Sequence, residues 1–241
     1  MKTIPTTSGL ARASQTFLRN SILLLSAIAA FIFLVAICIG VSLHLNDARF
    51  VYPLDDTYIH MTIARNLALH GNWGMNPLDF ASASSSILYT LLLASAFLIG
   101  GVNELVPLGL NISASLLVIW YFYRIAQVRG VSPAYFAFIL LLLLAGVSMI
   151  PLTISGMEHT WQILIGILFI YESARHIDSA TRRLSWSLFL VAGLATMIRY
   201  ESVFLVGIVA FFMWLRHQRL QAALTVLAGL LPIVLFGLYS L

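Results

Sequence analysis

The polar positions of this chain gather in short clusters between long apolar runs. The runs lie near 21–44, 86–100, 105–123, 134–152, 160–174, 184–198, 202–215 and 221–241. Most approach the roughly 20 residues that a helix needs to cross a bilayer. They are too continuous for barrel strands, which would alternate strictly over about ten residues. A helix satisfies its own backbone polar groups, as lipid demands of any spanning segment. The pattern predicts an all-α membrane protein of about eight hydrophobic helices, with residues 1–20 as a cytoplasmic N-terminus and 21–241 as a single multi-spanning module.

One longer polar interval, 45–85, is predicted to be an outer loop with structure of its own. Ile59, Ile63 and Leu67 recur at a spacing of four, which predicts an amphipathic helix lying along the membrane surface. Tyr52-Pro53-Leu54-Asp55-Asp56 opens that helix and Gly71 ends it. Residues 71–77 then have the composition of an irregular turn, with Trp73 as an interfacial anchor. A serine-rich stretch, 82–86, leads into the next apolar run.

Composition strengthens this reading. Of 241 residues, 61% are apolar and 9% are charged, against roughly 25% charged in an ordinary soluble domain. The net charge of +4 would suit a nucleic-acid partner if it formed one patch, but the cations stand between apolar runs, as topology signals do. Lys2, Arg12 and Arg19 precede the first run; Arg124 and Arg129, then Arg175, Arg182 and Arg183, then Arg216 and Arg219 mark later cytoplasmic loops. Asp47, Asp55, Asp56, Asp79, Glu158 and Glu201 fall on the outer side. An outer loop at 45–85 reaches a cytoplasmic Arg124 only by an odd number of crossings, yet two runs intervene. Either the short run 86–100, ending in Gly100-Gly101, enters only part of the membrane, or the positive-inside rule fails at Arg124 and Arg129. The first apolar run exceeds a signal-peptide core and lacks a small-residue cleavage site, so it is expected to remain as an anchor. Cys38 is the single cysteine and forms no disulfide within the chain.

The candidate chemistry lies with the outer acids. Asp55 and Asp56 are adjacent, and each raises the proton affinity of the other, which suits one of them to act as a general base. Asp is equally at home as a helix cap. Glu158, in Ser155-Gly156-Met157-Glu158-His159, and Arg199-Tyr200-Glu201 put further ionisable groups at predicted membrane boundaries. Each also has a structural reading, as a charge complementing a helix dipole or as a satisfied ion pair. His60 and His159 could join the acids around a divalent metal, although no spacing matches a dedicated ligand set. The sequence thus specifies no cofactor and leaves a divalent metal open.

Taken together, Asp55-Asp56-Thr57-Tyr58-Ile59, Ala64-Arg65-Asn66-Leu67-Ala68 with Gly71 and Asn76-Pro77, Ser155-Gly156-Met157-Glu158 and Arg199-Tyr200-Glu201 are more specific than any one of them. The combination resembles the GT-C glycosyltransferases over about residues 50–205, most closely the branch with the mycobacterial arabinofuranosyltransferases and more distantly the protein mannosyltransferases and lipid A aminoarabinose transferases. The resemblance implies transfer of a sugar from a polyprenyl-phosphate carrier to a hydroxyl of a glycan, lipid or protein acceptor, at the outer face of a bacterial inner membrane. It implies a catalytic base at Asp55 or Asp56, with Asp55 preferred, and binding of donor phosphate or acceptor by Arg65, Glu158, His159, Arg199 and Glu201. Members of the superfamily are often longer, so the chain is expected to correspond to their N-terminal module.

Two rival classes predict different sequences. A transporter component would carry acids in mid-helix and often an internal repeat; here the acids sit at run boundaries and the first four runs do not resemble the last four. The second rival is a non-catalytic assembly or carrier-binding subunit, a reading that the short length of the chain keeps open.

Overall fold

The computed structural model describes residues 7–178 and 184–240, with the side chains of 7–13 and 178 outside the description. Of the predicted topology charges, Lys2, Arg12, Arg182 and Arg183 therefore lie outside it. The described residues form ten α-helices and no strand. They are α1 (Thr7–Leu45), α2 (Asp56–His70), α3 (Ile87–Gly100), α4 (Val106–Arg129), α5 (Pro133–Leu141), α6 (Met149–Ile154), α7 (His159–Asp178), α8 (Trp186–Ile198), α9 (Ser202–Leu215) and α10 (Arg219–Tyr239). Among the described residues, three spans are long and apolar enough to cross a membrane: Ser14–Leu45, Val106–Arg129 and Arg219–Tyr239.

The predicted run 134–152 is not one helix. After α5 the backbone widens into a π-helical stretch, Leu142–Gly146, and Ser148 then takes a left-handed conformation (φ 54°) before α6 begins. Apolar composition continues through the break because hydropathy records solvent preference and not backbone dihedrals. Pro232, by contrast, sits inside α10 without ending it.

The chain divides into two compact units. The first comprises residues 1–53 and 110–155 and holds α1, most of α4, α5 and α6. Its helices are joined by neutral polar contacts: Asn20 Nδ2 donates to the Val131 carbonyl (3.2 Å), Ser21 Oγ meets the Tyr123 hydroxyl (2.8 Å), and Ser115 Oγ meets Thr153 Oγ1 (2.8 Å). Asn20, Ser115 and Thr153 are fully buried.

The second unit comprises residues 54–109 and 156–241. Phe169 of α7, Leu188 and Ala192 of α8, Val206, Val209, Ala210 and Met213 of α9 and Ala222 of α10 form one buried cluster. Small residues let α8 and α10 approach closely: Thr196 Oγ1 donates to the Gly229 carbonyl (2.7 Å), and a β-carbon on Gly193 would meet the Ala228 carbonyl at 3.2 Å. A second cluster contains Ile63, Trp73 and Ile87, with Ile59, Leu67, Phe80, Met197, Tyr200 and Phe236 packed on it. Ile59, Ile63 and Leu67 of α2 all belong to this cluster and pack against protein.

Candidate functional site

α2 begins where the sequence places it. Asp55 is its N-cap, with Oδ1 accepting from the Asp56 amide (3.0 Å), and Gly71 closes it in a left-handed conformation (φ 70°). The turn that follows is held by amide side chains. Asn72 Nδ2 donates to the Asn76 and Asp79 carbonyls, Asn76 Oδ1 accepts from the Leu78 and Asp79 amides, and Asn66 Nδ2 reaches the Gly74 carbonyl (2.8 Å). Gly74 is required there, since a β-carbon would overlap the Asp79 carbonyl. This fold-back leads to Ser84, Ser85 and Ser86 and so to the start of α3, where Ser86 caps the helix through the Tyr89 amide (3.1 Å).

The second unit has a polar centre at Glu158, which is wholly buried. It lies in the turn that precedes α7, where Gly156 adopts φ 71° and the Tyr89 hydroxyl donates to the Gly156 carbonyl (2.7 Å). Glu158 Oε1 accepts from Arg199 Nη1 (2.6 Å) and from Ser85 Oγ (2.9 Å). Its Oε2 lies 3.3 Å from His60 Nε2, an ion-pair distance at an angle outside that of a hydrogen bond. Arg199 fills the break between α8 and α9 and is also gripped by Glu201, with Nη2 to Oε1 at 2.9 Å and Nε to Oε2 at 3.3 Å. His60 Nδ1 faces Ser84 Oγ (3.1 Å) and Thr90 Oγ1 (3.4 Å), and the Tyr89 ring meets the imidazole edge to face.

The charges follow from this packing. Burial by itself would raise the Glu158 carboxyl, but His60, its own backbone amide and Arg199 outweigh it and hold the group at about 2. Burial likewise opposes the charge on Arg199, and the two glutamates more than offset it, raising that group further. Glu201 is lowered by its backbone hydrogen bond and by Arg199. At neutral pH both glutamates are anionic and share one guanidinium.

Of the residues singled out in the sequence, the structure joins His60, Glu158, Arg199 and Glu201. Asp55, Asp56 and Arg65 are exposed and are not among the groups touching Glu158, and the half-buried His159 is its chain neighbour. Asp56 nevertheless stands one helical turn before His60, and residues four apart share a helix face. Ser84, Ser85, Tyr89 and Thr90 were not foreseen. Their signal was the serine run just before an apolar helix, read only as a linker. Among the described residues no three of His, Cys, Asp and Glu converge as a metal-ligand set. Comparison with protein families, with curated proteins and with solved structures gives no match for this chain.

Proposed function

We propose that this chain is a GT-C-type membrane glycosyltransferase. It moves a sugar from a polyprenyl-phosphate donor to an acceptor hydroxyl at the outer face of the membrane. One observation carries the reading: segments 98 and 41 residues apart in the chain, ending in His60, Glu158 and Arg199, meet around one buried carboxylate. Glu158 and Arg199 belong to segments on which the resemblance rests, and His60 directly follows a third, residues 55–59. A buried ionic cluster is costly beside apolar packing, so its presence favours a functional role.

In this reading Arg199 stabilises the phosphate leaving group as charge develops on it, and Glu158 with Ser85 holds the guanidinium in place. A carboxylate of the α2 N-terminus accepts the acceptor's proton. Asp56 suits that role better than Asp55, because it lies on the His60 face of α2 while Asp55 is occupied as the cap. The test is transfer of radiolabelled sugar from polyprenyl-phosphate donors by purified protein in liposomes. Asp56→Asn is expected to lower the rate by about 100-fold or more, in the range of general-base removal, and Asp55→Asn to lower it far less. Full activity in Asp56→Asn would remove the base assignment. No transfer from any donor by folded native protein would favour the carrier-binding subunit.

A further inference from the structure

Arg199 is held from two sides that differ in kind. On one side is Glu158, with no exposure, and on the other Glu201, 61% exposed. The buried contact fixes the guanidinium. The exposed one presents a carboxylate to its fork in bidentate fashion, through Nη2 and Nε. Phosphate matches that same fork with the same two-oxygen geometry. The start of α9 lies directly behind Glu201, and its dipole favours an anion at that place whichever group supplies it.

Resting on the transferase reading, we infer that Glu201 occupies the phosphate subsite of Arg199 when no donor is bound, and that a prenyl phosphate binds by displacing it. The exchange leaves no buried charge unpaired. Glu158 stays on Nη1, the phosphate takes Nη2 and Nε, and the Glu201 side chain turns into solvent at little desolvation cost. A water-exposed ion pair is weak, so the incoming anion has little to overcome. The arrangement also answers an electrostatic difficulty. An unfilled fork beside a membrane would attract any small anion, and a tethered carboxylate excludes weak competitors while yielding to a ligand whose lipid tail adds binding energy.

The test is titration of farnesyl phosphate, a sugar-free prenyl phosphate, into detergent-purified native protein, Glu201→Gln and Arg199→Lys, followed by calorimetry and by the phosphorus resonance. Farnesol is the phosphate-free control, and helicity and unfolding temperature establish that each variant is folded. Glu201→Gln is expected to bind farnesyl phosphate about two- to five-fold more tightly, the range of an exposed ion pair. Arg199→Lys, which keeps the charge beside Glu158 and loses the fork, is expected to bind it at least about ten-fold more weakly. Farnesol should not distinguish native protein from Glu201→Gln. Equal or weaker binding by Glu201→Gln, or no binding by any variant, overturns the inference. Arg199-dependent binding that Glu201→Gln strengthens, in a protein that transfers no sugar, would sustain the subsite and remove the transferase reading. Sugar transfer with phosphate binding indifferent to Glu201 would do the reverse.

Discussion

The two units solve the problem of polar groups among apolar helices in opposite ways. In the first unit the buried contacts are neutral: hydroxyl to hydroxyl at Ser115 and Thr153, and amide to carbonyl at Asn20. In the second a carboxylate without exposure is surrounded by a guanidinium, an imidazole and a hydroxyl. Neutral pairs suffice to fix helix positions, and in membranes they contribute about 0.6 kcal/mol each. Ions taken out of water cost several kcal/mol and return that only when every partner is in place. Stability alone would therefore favour the first solution throughout. The second unit keeps the more expensive one where three distant segments meet.

The comparison breaks most visibly at Glu158. Glu158→Ala removes the buried partner of Arg199 and His60, leaving Arg199 only the exposed Glu201, and is expected to destabilise the protein by about 3–5 kcal/mol, the range for a buried pair that loses one partner; unfolding by denaturant in detergent measures it. Glu158→Leu combined with Arg199→Met removes both ions and should recover much of that loss, while the proposed sugar transfer should be absent. A recovered activity would separate the cluster from function.

Acid sharpens the same contrast. The folded carboxyl of Glu158 sits at about 2 against an ordinary 4.5, so its contribution is complete above pH 4.5 and is lost as the pH falls toward 2. Unfolding midpoints of native protein should fall across that window by at most about 1.4 kcal/mol per pH unit for this one group, and Glu158→Gln should lack that component. The smallest effect belongs to the first unit. Ser115→Ala should cost about 0.6 kcal/mol, and its stability should not respond to pH differently from the native chain. A loss comparable with that of Glu158→Ala would erase the distinction between the units.

Elements with a local cause were legible in the sequence. Gly71 marks the end of α2 because only a residue without a β-carbon adopts its φ of 70° easily, and Asp55 marks the start because its side chain accepts from the chain ahead. Glu158, Arg199 and Glu201 stood out as rare charges beside apolar runs. His60 was weighed only as a metal ligand, since its partners Ser84, Ser85 and Thr90 are 24 to 30 residues away and join it through the fold-back at Asn72 and Gly74. The break at Ser148 was hidden for a different reason. Gly146 and Pro151 flank it, but the apolar pattern runs straight through both, and the left-handed residue itself is an ordinary serine.

The short helices of the second unit carry one more consequence. α3, α8 and α9 have 14, 13 and 14 residues, which at 1.5 Å per residue reach about 20 Å, two-thirds of a hydrocarbon layer about 30 Å thick. Lipid meeting such helices relieves the hydrophobic mismatch by thinning. In a bilayer crossed by these helices, such a dimple would bring the headgroup plane closer to the helix ends. On the proposed transferase reading, a lipid-borne phosphate would then travel a shorter distance to Arg199, and thickness-matched vesicles would become a variable as informative as any substitution.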